Sequence, residues 1–144
     1  MSMEDSSGQH DEKINHTISD TAKQISTTIS MLKGFTMENM DTSFQTLRQV
    51  KIFGVQTITD TITLTETTYD KTSTNKYLHK AVRTARIPVN YDERHNWLRV
   101  FELLAYLLVE LQAQVHVHET LQKQQASVII VPSEETVRTK LSVG

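Results

Sequence analysis

The chain has 144 residues, no cysteine, a net charge of -2, 38% hydrophobic residues and only 6% aromatics. This length suits one domain, and the lack of cysteine excludes a disulfide scaffold, a thiolate metal site and a cysteine nucleophile. The near-neutral balance argues against a generic cation-coated nucleic-acid binder, and four Gly with two Pro are few for a barrel or sandwich built on tight turns.

Residues 1–10 are polar and read as a disordered tail. Glu4, Asp5, Asp11 and Glu12 leave no room for a basic n-region or an apolar h-region, so the expectation is a soluble intracellular protein, cytoplasmic or nuclear. From Asp11, a plausible N-cap, the pattern becomes helical. Ile14, Ile18, Ala22, Ile25, Ile29 and Leu32 recur at spacings of three and four, and Gly34 suits a C′ position.

A second helix is expected to begin after Thr36. Met40, Phe44, Leu47, Val55, Ile58, Ile62 and Tyr69 keep the same spacing across Lys51 and Thr65. The stretch also carries a competing pattern. The chain has 20 Thr, nine of them between Thr57 and Thr74, and those at 57, 59, 61, 63, 65 and 67 alternate strictly as in a strand. Helix is favoured because the alternating face would bury Asp60 and Glu66, because no hairpin signal stands beside it, and because the flanking pattern is helical.

Thr72–Asn75 reads as a polar turn. Lys76–Arg86 then reads as a short basic amphipathic helix that ends at Ile87-Pro88. Asn90 is placed to cap a long helix running to about Gln125, with Glu93 as its capping-box partner. Between Trp97 and Leu111 the only polar line is Arg99, Glu102, Tyr106 and Glu110, so this helix needs partners on most sides. Its run of apolar residues is too short and too charged for a bilayer span of about 20 residues. The tail, residues 126–144, contains a β-branched run, Val128-Ile129-Ile130-Val131, expected to be extended.

These elements predict an all-α fold: an elongated, coiled-coil-like bundle of three or four helices over residues 11–125, with disordered tails at 1–10 and 126–144. The alternative is α+β, if residues 57–68 form a strand.

Chemistry is thinly represented. His116, His118 and Glu119 are the most metal-like group, but two His two residues apart diverge on a helix, and His79 and His95 have no fixed spacing to them. The four Gly are isolated, so there is no phosphate-cradling loop, and no nucleophile elbow is present. The expectation is a protein without catalytic residues, metal or cofactor.

Charge is segregated: residues 1–70 carry -5, residues 71–99 carry +5 and residues 100–144 carry -2. On a helix Lys76, Lys80 and Arg83 would form one basic stripe, with Arg86 just beyond, facing phosphates or an acidic surface. In the tail, Val128–Val131 followed by Glu134 and Glu135 resembles a SUMO-interacting motif. The resemblance covers about eight residues and implies strand addition to a ubiquitin-like modifier; the other reading is an apolar plug packed on the protein itself or on a partner. The leading functional expectation is a non-enzymatic structural or adaptor subunit of a homo-oligomer or hetero-complex. It would act by helix packing through Trp97, Phe101, Leu104, Leu108 and Leu111. The alternative is an oligomeric protein, of viral type, associated with nucleic acid or phospholipid through Lys76, Lys80, Arg83 and Arg86.

Overall fold

The computed structural model describes residues 3–70 and 76–143, with side chains described from residue 20 to residue 141 outside the gap. The turn expected at Thr72–Asn75 and the side chains of Asp11, Ile14 and Ile18 lie outside the described residues. The elements in chain order are helix α1 (Met3–Glu38), a one-turn helix α2 (Phe44–Leu47), strands β1 (Ile52–Ile58), β2 (Thr61–Tyr69) and β3 (Tyr77–Arg86), a 3-10 segment (Tyr91–Asn96), helix α3 (Trp97–Gln125) and a short helix α4 (Val137–Val143). The strands form an antiparallel sheet in the order β1-β2-β3.

The fold is therefore α+β, and the all-helical, coiled-coil-like bundle is overturned by this sheet. Residues expected to continue a second helix are β1 and β2, and the basic segment 76–86 is β3. The regions expected to be disordered tails carry helix from Met3 and again at Val137–Val143. Gly34 does not stop α1, which continues to Glu38.

The reasons are local. β1 and β2 are joined by the two residues Thr59 and Asp60, and Thr59 takes a positive φ of 55°. Such turns normally put glycine at this position, so the hairpin carried none of the usual sequence signal. Asp60 compensates with specific bonds. Its carbonyl accepts from the Ile87 N–H at 2.6 Å and its carboxylate accepts from Arg86 Nε at 2.8 Å, tying the turn to the end of β3. The Arg86 guanidinium also holds the Asp60 carboxyl below the usual carboxylate range.

The two sheet faces are covered by different helices. Ile62 and Leu64 face α3 and pack with Ala85, Val100 and Leu103. A bulge opposite Leu64 and Thr65 adds Val82 to β3, so that Val82 and Arg83 both reach the α3 side. The other face presents Thr65, Thr67 and Tyr69 to α1. At one end the layers close into a second core of Leu32, Phe44, Leu47, Val50, Tyr69, Leu121 and Val137.

The threonines explain themselves on the α1 side. Thr28 Oγ1 donates to the Ile25 carbonyl at 3.0 Å, and Thr67 Oγ1 donates to Thr28 Oγ1 at 3.0 Å. With its proton committed, Thr67 accepts from His79 Nδ1 at 2.6 Å. A relay thus runs from β3 through β2 to α1. Burial holds the His79 ring below its usual pKa. A second relay joins Tyr69 to α1: Thr36 Oγ1 donates to the Leu32 carbonyl at 2.8 Å and accepts from the Tyr69 hydroxyl. Threonine therefore supplies both the β-branched shape a strand favours and the hydroxyl that satisfies a polar helix–sheet layer.

Candidate functional site

Helix α3 is the most unusual element because its two sides differ completely in what they touch. The inner side is secured by apolar contacts and by two buried glutamines. Val100 and Leu103 lie on the sheet, and Leu121 lies in the end core. Gln114 accepts from the Lys51 N–H at 2.9 Å and donates to the Gln49 carbonyl at 2.9 Å. Gln124 accepts from the Ser43 N–H at 3.0 Å and donates to Thr46 Oγ1 at 3.2 Å. These amides bond the irregular segment between α1 and β1 in place of a strand partner. At the start Asn90 accepts from the Glu93 N–H at 3.1 Å as expected, but it caps the 3-10 segment Tyr91–Asn96 ahead of α3, and the Glu93 carboxylate accepts from the Val89 N–H at 3.3 Å. At the far end Ser127 takes φ 61°, and Val128 N–H reaches the Lys123 carbonyl at 2.8 Å, closing a Schellman-type turn.

The outer side is apolar and open. Trp97, Leu98, Phe101, Leu104, Leu108, Val109, Leu111 and Val115 are between 44% and 64% exposed. All five residues read from the sequence as helix-packing positions lie here, joined by Leu98, Val109 and Val115. Trp97 and Phe101 stack with centroids 6.1 Å apart. At 100° per residue the eight positions share one half of the helix circumference. Their exposed surface is roughly 800 Å², against about 300–600 Å² for the largest apolar patch of an ordinary monomer. Contrary to the expectation from the run Trp97–Leu111 alone, the whole stretch Tyr91–Gln125 is long and apolar enough to cross a bilayer by length and composition. The inner side, however, is bonded through Gln114 and Gln124 to backbone of the same domain.

An ion cluster clamps β2 to α3 beneath this face. Glu66 is almost wholly buried, with Lys51 Nζ at 3.7 Å and Lys80 Nζ at 4.0 Å. Lys51 Nζ also donates to Glu110 at 2.8 Å. Burial opposes the charge on Lys51, but the Glu110 bond and the two nearby carboxylates outweigh it and raise its pKa. An open cavity of about 420 Å³ lies beside the cluster, lined also by Arg48, Thr68 and Val117. Glu66 and Asp60, the two acids that weighed against a strand, are thus accounted for separately: one is paired in the core and the other sits in the turn.

The other sequence-derived candidates are dispersed. The basic residues are on a strand, where Lys80 faces Glu66, Arg83 lies 4.3 Å over the Tyr106 ring, and Arg86 bridges Asp60 and Glu93 at 2.8 and 3.4 Å. Lys76 is exposed just before β3. His116 is exposed, whereas His118 packs on Phe35 with centroids 5.0 Å apart, and no group of three ligand-type side chains converges among the described residues. In the tail, Val128, Ile129 and Ile130 are exposed and outside regular structure, Val131 is half-buried, and Glu134 and Glu135 lie in a 3-10 turn. The chain then returns to the core. Val137 is buried, its N–H donates to the Thr42 carbonyl at 2.9 Å, and Arg138 meets Asp41 at 3.4 Å. No family model, no curated protein and no solved structure matches the chain.

Proposed function

We propose that the protein is a non-catalytic structural or adaptor subunit that docks through the outer side of α3. One observation carries this reading: eight large apolar side chains form one continuous open face on a helix whose opposite side is anchored to its own domain through Val100, Leu103, Gln114, Leu121 and Gln124. A helix that is apolar on both sides and packed on one has a second packing partner to find. The basic residues favour this reading indirectly, because Lys80, Arg83 and Arg86 are engaged within the chain.

The test uses the full chain in its own cells. Size fractionation of the extract is expected to place the wild-type chain in a particle larger than its 16.5 kDa mass. Leu104→Glu combined with Leu108→Glu is expected to release it as a free chain of unchanged circular dichroism. A wild-type chain that runs free in the extract contradicts the proposal.

A further inference from the structure

The docking reading leaves the partner open, and the face itself narrows it. Trp97, Phe101, Leu104, Leu108, Leu111 and Val115 recur at spacings of 4, 3, 4, 3 and 4. This is the period with which two helices interlock ridge into groove at a shallow crossing angle of about 20°. These six side chains expose roughly 600 Å², and Leu98 and Val109 at the edge bring the face to roughly 800 Å², about what each partner contributes to a standard stable interface. A two-fold axis on the outer face, level with position 106, pairs the positions consistently. Leu104 meets Leu108 of the second copy, Phe101 meets Leu111, and the large Trp97 meets the smaller Val115. Ala105, the smallest side chain of the face, falls beside the axis, where two helix backbones approach most closely.

Charge selects the direction. The apolar strip is bounded by Arg94, which lies 4.0 Å over its own Tyr91 ring, before Trp97, and by the exposed Glu119, 4.0 Å from its own His116, beyond Val115. In an antiparallel pair each Arg94 comes level with Glu119 of the second copy. A parallel pair stacks Arg94 on Arg94 and Glu119 on Glu119, which like-charge repulsion opposes. The sheet packs on the Val100 and Leu103 side of α3, off the six-residue strip, and α1 lies on the other face of the sheet. We infer that the occupant of the α3 face is a second copy of this chain, packed antiparallel along α3 about a two-fold axis level with position 106. The inference rests on the α3 face being a docking surface.

The chain has no cysteine, so single cysteines report the arrangement without background. Light scattering of the purified full chain at tens of micromolar is expected to give twice the 16.5 kDa chain mass. Under mild oxidation, Ala105→Cys is expected to form a disulfide with its own copy. Gln112→Cys alone is not, because its two copies would stand roughly 20 Å apart along the axis. Gln112→Cys mixed with Leu98→Cys is expected to give the mixed disulfide. A parallel pair reverses the last two results and overturns the inference, as does a monomer.

A monomer is resolved further with an apolar fluorescent dye. Dye binding that falls several-fold in Leu104→Glu with Leu108→Glu overturns self-pairing but leaves the face open to another protein. A monomer that binds no dye overturns the docking reading as well. Flotation of the wild-type chain with phosphatidylcholine vesicles, lost in the same variant, assigns the face to a bilayer and overturns both.

Discussion

Replacing Thr67 by valine tests whether the threonine layer holds the sheet to α1. The substitution keeps β-branching and shape but removes the hydroxyl that accepts from His79 at 2.6 Å and donates to Thr28 at 3.0 Å. Thr28 keeps its bond to the Ile25 carbonyl, so it loses only an incoming partner. The His79 N–H is left facing a methyl group in a half-buried place. Two bonds at about 0.5–1.5 kcal/mol each, with part of the desolvation cost of the stranded donor, exceed the gain from burying one methyl, about 0.8 kcal/mol. The expected net loss is about 1–2 kcal/mol. With a urea slope near 2 kcal/mol per molar, the midpoint falls by roughly 0.5–1 M at unchanged slope. Thr67→Ser, which keeps both bonds, is expected to lose only about 1 kcal/mol, for its methyl. Thr28→Val and Thr67→Val together are expected to cost less than the sum of the single losses. A Thr67→Val protein as stable as wild type would refute a structural role for the relay.

Three further perturbations probe other contacts. Burial pushes the Tyr69 hydroxyl up to about 12 from an ordinary 10.0. Its stabilisation is therefore complete below pH 10 and lost as pH rises through 12, by about 2 kcal/mol; urea titrations from pH 9 to 12 should show this fall in wild type and its loss in Tyr69→Phe. Lys51→Met leaves the buried Glu66 with Lys80 alone at 4.0 Å and should cost about 2–4 kcal/mol in chemical denaturation. Adding Glu66→Gln should recover much of that loss. Gly54 is the third: a Cβ there would stand 2.7 Å from Thr65 Oγ1 and 2.8 Å from Gln24 Nε2. Gly54→Ala should therefore push α1 from the sheet, lowering stability by about 1–3 kcal/mol and speeding amide exchange in β1.

Residue by residue, the sequence was most readable where burial follows a simple period. The α3 helix and its end near Gln125 are visible in the sequence, as are the five apolar positions on its outer side, while the Asn90 cap opens the 3-10 segment Tyr91–Asn96 in place of a first α-helical stretch. Helical spacing places residues on faces, but it does not say which face the rest of the chain covers. That choice depends on β2 and β3, strands where the spacing predicts helix. Over residues 40–69, apolar positions compatible with a helix coincide with a strict threonine alternation. Helix is the expectation there, and each objection to a strand has a tertiary answer. Glu66 is paired by Lys51 and Lys80, Asp60 lies in the turn, and the ladder partners of β2 are supplied by segments on both sides of it. The roles of Gln114 and Gln124 had no sequence signal, since a glutamine that bonds distant backbone looks like any surface glutamine.

The claim that the outer side of α3 is covered in solution has a built-in reporter. Trp97 is the only tryptophan, and it stands at one end of that face, 44% exposed in the isolated chain. Acrylamide quenching of its fluorescence, followed over serial dilution of the 144-residue chain, measures the cover directly. Protection at high concentration that is lost on dilution, and lost at every concentration in Leu104→Glu with Leu108→Glu, is the expected result. Equal quenching at all concentrations in wild type and variant would contradict it.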